Sequence, residues 1–273
     1  MTFHGLELQL QRVTGLYRKV DLTYPSNLLA VTVALAASIF VGLITRDGWI
    51  SILSSAATFS AWALGRELDP DRPRTANLSA ITVALVLNAL AFNGFLVFKD
   101  VFLAAITTGS MMVSARVMTR STGLAATALD AAALFAVALG SGLVNPQVAA
   151  ILVAVATLGI VLDRAFDHHP YLANWCWFGF ASFTLTGFYF LWSSGSWLAL
   201  TGIVFALGTL NFVLALKSIP ISSSDQGTKL EPSRLAMATV LVFLAAIGLA
   251  SQGLPVVIMG LLAVGLWRLW MHA

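Results

Sequence analysis

Hydrophobic positions in this chain gather into about ten long runs separated by short polar gaps, near 28–45, 49–65, 78–98, 101–117, 123–141, 147–162, 175–192, 197–215, 235–250 and 255–270. Most are close to the shortest length that crosses a bilayer as a helix. The gaps inside successive pairs are tight and mostly rich in helix breakers: Arg46-Asp47-Gly48, Lys99-Asp100, Ser141 to Pro146, Ser193 to Ser196, and Gly253-Leu254-Pro255. This pattern predicts an all-α fold, a polytopic membrane helical bundle of about ten transmembrane helices arranged as serial hairpins.

Charge gives the bundle a direction. The short gaps hold only Arg46 and Lys99, and the other thirteen of the fifteen Lys and Arg residues fall on the opposite side. By the positive-inside rule both termini and the longer loops are expected to be cytoplasmic. Composition agrees, because a chain that is 59% hydrophobic and 10% charged cannot hide its apolar surface in a water-soluble fold of 273 residues. The formal charge of +3 is spread over loops without a stripe or groove, which argues against nucleic acid as a partner. A single cysteine, Cys176, excludes disulfides within the chain and reads as a small residue packed in a helix.

Four regions follow. Residues 1–27 lack the pattern of a cleavable signal, and Leu6, Leu8, Leu10, Val13, Leu16 and Tyr17 suggest a short amphipathic helix on the inner membrane surface, with Arg12, Arg18 and Lys19 toward anionic headgroups. Residues 28–216 form an eight-span bundle, 217–234 a cytoplasmic linker loop of Ser, Gly, Pro and charged residues, and 235–273 a C-terminal transmembrane hairpin. A weak repeat sets Pro73 to Asn77 over Pro170 to Asn174, an offset of two hairpins that would relate spans one to four to spans five to eight.

Candidate chemistry lies in three loops on the basic side and at one carboxylate within a span. The first loop, Gly65 to Arg74, carries Glu67, Asp69 and Asp71, whose oxygens suit a hard cation such as Mg²⁺. Its Arg66, Arg72 and Arg74 suit phosphate. The bland alternative is a solvated loop whose charges pair with one another. The second loop carries Asp163 and Asp167, four apart and so on one helix face, where both could reach one cation or simply pair with Arg164. His168 and His169 invite a zinc reading, against which stand the divergence of adjacent helical positions and the lack of a further histidine nearby. In the third loop Arg116 and Arg120 share a face, to snorkel toward headgroups or to grip a phosphate. Asp130, in an Ala-rich run about two turns below the span's cytoplasmic end, needs a partner, and Arg116 is the expected one by depth.

The placement of these loops after spans two, four and six resembles the UbiA-type membrane prenyltransferase superfamily. Arg66-Glu67-Leu68-Asp69 and Asp71-Arg72-Pro73 look like a compressed form of its first Asp-rich motif, Asp163 and Asp167 match its second, and Arg120-Ser121-Thr122 is similar to the end of its fourth span. The early Asn and Asp of the first motif fall here on Ala61, Trp62 and Gly65. The resemblance implies a bundle around a central cavity, Mg²⁺ held by the carboxylates, and an isoprenoid diphosphate or related membrane lipid as substrate, with Arg66, Arg72, Arg74, Arg116, Arg120 and Asp130 toward the ligand. It also implies that binding requires Mg²⁺, because bare carboxylates would repel a diphosphate. Two alternatives stand beside it: a ten-span transporter whose central cavity uses Asp130, and a non-catalytic membrane partner protein.

Overall fold

Five of the chain's eight prolines open helices, where a fixed φ is an advantage and the missing N–H is no loss. The computed structural model describes residues 13–18, 20–168, 198–217, 224–225, 227–251 and 255–272. Within them the helices are α1 (Pro25–Thr45), α2 (Gly48–Leu68), α3 (Pro73–Phe92), α4 (Phe98–Thr119), α5 (Ala128–Gly140), a 3₁₀ turn (Ser141–Leu143), α6 (Pro146–His168), α7 (Leu198–Lys217), α8 (Pro232–Ser251) and α9 (Pro255–His272). Among the described residues α1, α3, α4, α6 and α8 are long and apolar enough to cross a membrane.

The hairpin turns work by local chemistry. Arg46 ends α1 in the left-handed region (φ 54°), and the next residue, Asp47, accepts from Trp49 N at 2.8 Å and Ile50 N at 3.1 Å to start α2. Asn145 does the same for α6, accepting from Gln147 N and Val148 N. The third run begins at Pro73 and stops at Asn93-Gly94, five or six residues earlier at each end than hydropathy places it, because proline and a positive-φ glycine outweigh the apolar count.

The fifth run differs more. Residues 123–127 are a loop, and α5 begins at Ala128 with Thr127 as its cap. Asp130 is therefore a first-turn residue, not a mid-span one.

α8 is the centre of the bundle. Its apolar residues are buried around the whole helix, and its alanines (Ala236, Ala238, Ala245, Ala246 and Ala250, all at 0%) let α4, α6 and α7 approach closely. α2 lies against α1, α3 and α4, and α9 against α3, α4 and α7. α1 is peripheral and turns Leu35, Ile39, Phe40 and Leu43 outward, as a lipid-facing helix would.

The N-terminal helix proposed from Leu6, Leu8, Leu10 and Arg12 and the seventh run near 175–192 lie outside the described residues. Residues 14–18 form a strap across the ends of α4 and α5 instead of a surface helix. The part of the linker that is described is likewise docked: Asp225 N donates to Ser121 O at 2.9 Å.

Candidate functional site

The expected site residues meet at the end of the bundle where α2, α4 and α6 finish, but they are sorted into three separate clusters. Glu67, on the last turn of α2, has a fully buried side chain. Arg116 Nε meets its Oε1 at 2.7 Å, Thr119 Oγ1 donates to Oε2 at 3.2 Å, and Arg18 of the strap lies 3.8 Å away. A carboxylate at a helix C-terminus opposes the helix dipole, so these cations are what permits an acid there.

The second cluster joins Asp163 and Asp167 to two arginines, one of which, Arg234, also meets Glu231 at 3.5 Å. Arg120 binds Asp163 through two parallel hydrogen bonds, Nε to Oδ1 at 2.7 Å and Nη2 to Oδ2 at 2.9 Å, and also reaches Asp167. Arg234, at the start of α8, meets Asp163 at 2.6 Å and Asp167 at 3.1 Å, and stacks over Phe166 at 5.1 Å from the ring centre. Arg120 caps α4 with φ 50°, an uncommon conformation for a side chain of this kind, which aims the guanidinium back at α6. The α4, α6 and α8 ends are thereby joined. Arg234 was counted in the sequence only as a loop charge.

In the third cluster Asp69 caps α2, accepts from Thr75 Oγ1 at 2.8 Å and faces His272 Nε2 at 3.4 Å, while the neighbouring Arg72 donates to the Met271 carbonyl. Asp71 occupies the turn between α2 and α3 and is half-buried.

Glu67, Asp69, Asp163 and Asp167 are thus held by guanidinium, hydroxyl or imidazole groups. Among the described residues no three His, Cys, Asp or Glu side chains come together in a way that could hold a metal ion.

Asp130 has hydrogen-bonding partners, but Arg116 is not one of them. Its carboxylate closes a capping box with Thr127 and accepts from Gly15 N at 2.9 Å and from Thr14 of the strap. Arg116 is committed to Glu67 and to the Leu16 carbonyl at 3.2 Å. Asp130 is therefore a fastening for the N-terminal strap.

A cavity of about 820 Å³ opens beside the Glu67 cluster, between the start of α1, the last turns of α2, the start of α3 and the side of α4. Arg18, Arg66, Arg74 and Arg116 line it with Asp21 and Asp225, and Phe59, Trp62 and Met112 form its apolar wall. Phe59 and Trp62 lie 5.2 Å apart between ring centres, and Trp62 Nε1 reaches Ser26 Oγ at 3.4 Å. Arg18 bridges Glu67 and Asp225, the latter at 3.0 Å. Burial pushes the Asp225 carboxyl above its ordinary range, against the pull of Arg18. Arg66, half-buried, and Arg74, exposed, have no ion-pair partner among the described residues. The apolar wall and Arg18 were missed as site residues. Phe59 and Trp62 read as span interior, and Arg18 as a headgroup contact, because nothing local shows which helix face opens onto a cavity.

Comparison with family models, with curated proteins and with solved structures finds no match for this chain.

Proposed function

We propose that this chain is a ten-span membrane protein with both termini cytoplasmic, and that its cavity at the cytoplasmic end binds a prenyl diphosphate or a related phosphorylated lipid. The observation that carries this reading is the pairing, in one cavity, of two guanidiniums without ion-pair partners among the described residues and an aromatic wall. Arg66 and Arg74 supply donors for phosphate oxygens, and Phe59, Trp62 and Met112 supply an apolar surface for a chain. α1, the outward-facing helix, borders the cavity, so a lipid could enter from the bilayer. The resemblance to the UbiA-type superfamily names the same ligand class.

In this reading the arginines, and not a metal held by carboxylates, grip the head group. Binding should therefore persist with Mg²⁺ removed. Purified full-length protein in detergent should bind farnesyl diphosphate saturably in excess EDTA, and Arg66→Gln or Arg74→Gln should each weaken it by about tenfold, the scale of one charge-assisted contact. Absence of saturable binding, or binding indifferent to both substitutions, would overturn the reading. A strict requirement for Mg²⁺ would return the ligand to the acidic residues.

A further inference from the structure

Arg268 lies on α9 one turn before His272 and is only 1% exposed. Its Nη1 donates to Thr239 Oγ1 of α8 at 3.0 Å, and among the described residues its Nε has no hydrogen-bond partner. Among the described residues no carboxylate reaches it at ion-pair distance. Asp69, the acid that acts on it from farther away, is occupied by Thr75 and His272. Of the chain's twelve Asp and Glu residues only Glu7 falls outside the described ones, so the sequence holds almost no further acid that could neutralise this cation. A buried charge left in this state is strongly unfavourable, and in a membrane bundle it marks a ligand or ion position.

A second orphan lies one turn away along α9. Asn211 of α7 donates its amide to Leu207 O at 2.9 Å and to Gly265 O at 3.1 Å, while its buried Oδ1 has no partner among the described residues. Gly265 is required at this contact, because a Cβ there would press on the Phe243 ring at 2.7 Å. Where α7, α8 and α9 meet, the bundle thus holds an unused cationic donor and an unused acceptor on neighbouring turns.

We propose that α7, α8 and α9 enclose a binding site for a small monoanion accompanied by water, with Arg268 Nε as the donor to the anion and Asn211 Oδ1 accepting from the water. Thr239 fixes the guanidinium. One guanidinium without a carboxylate at ion-pair distance among the described residues matches one negative charge, and its burial, with Leu235 and Phe243 of α8 buried as well, favours a small anion such as a halide or nitrate. This site uses none of the residues of the phosphorylated-lipid cavity and stands or falls without it.

The test is thermal unfolding of the purified full-length protein in detergent, with gluconate exchanged for chloride or nitrate at constant ionic strength. Wild type should gain about 3 °C saturably, the shift expected when a folded-state ligand well exceeds its Kd. Arg268→Met should abolish the response and Arg66→Gln should keep it. Thr239→Val should raise the half-saturating chloride concentration several-fold. No anion-specific gain in wild type, or an equal gain in Arg268→Met, overturns the proposal. If Arg268→Met does not fold, an unchanged half-saturating chloride concentration in Thr239→Val does so.

Discussion

Glu67 shows how one buried charge organises its surroundings. With its side chain fully buried and Arg116 at 2.7 Å, Glu67→Gln should destabilise the protein by about 3 kcal/mol, because it leaves a guanidinium facing a neutral amide. The combination with Arg116→Met should recover much of that loss, which a double-mutant cycle on melting temperature would detect. Asp163 and Asp167 make a paired case. Asp163 is 3% exposed and held by two arginines, whereas the Asp167 side chain is 40% exposed. Asp163→Asn should therefore cost about three times as much stability as Asp167→Asn, the difference between a buried and a screened pair. Equal effects would mean that solvent reaches both. Gly15 is a steric case: a Cβ there would run into the Ala125 carbonyl, so Gly15→Ala should lift the strap.

At the scale of elements, the strap and the linker turn act as fasteners across helix ends. Thr122 Oγ1 donates to Gly15 O at 2.7 Å, Thr127 Oγ1 to Val13 O at 3.1 Å, and Asp130 receives Thr14 and Gly15. Asp130→Ala should remove both this anchorage and the cap of α5. The expected loss is about 1 to 2 kcal/mol for the cap and its extra hydrogen bonds, with proteolysis near residue 18 accelerated more than proteolysis within the bundle. If cleavage at the strap is unchanged, the capping box alone explains Asp130. The linker turn meets the strap through Arg18 and Asp225, so both segments border the same cavity mouth.

For the whole molecule, the expected topology is tested by single cysteines in a Cys176→Ser background. Cysteines at Asp71 and Lys229 should react only from the cytoplasmic side, and those at Asp47 and Asn145 only from the opposite side. The reason is that thirteen of fifteen basic residues lie on one side of the ten-run pattern. Labelling of positions 71 and 47 from the same side would remove the first hairpin from the membrane. The expectation matters for function, since a cytoplasmic cavity would face soluble diphosphates as well as lipid.

Helix positions were legible in the sequence because hydropathy, proline and capping residues act within a few positions of one another. α1, α2, α4, α7, α8 and α9 begin and end within about three residues of the apolar runs that predicted them, and α6 begins within one. The exceptions have local causes too: Pro73 starts α3 early, and Thr127 delays α5, which moved Asp130 out of the span. What lies between helices was not legible. Glu67 and Arg116 are 49 residues apart, Asp163 and Arg234 71 apart, and Asp69 and His272 203 apart, so no local pattern distinguishes an acid awaiting a metal from one already held by a distant arginine. Sequence alone placed the charges at one end of a helical bundle. Only the packing of α2, α4, α6, α8 and α9 decided which charges neutralise each other, and that among the described residues Arg66, Arg74 and Arg268 have no ion-pair partner.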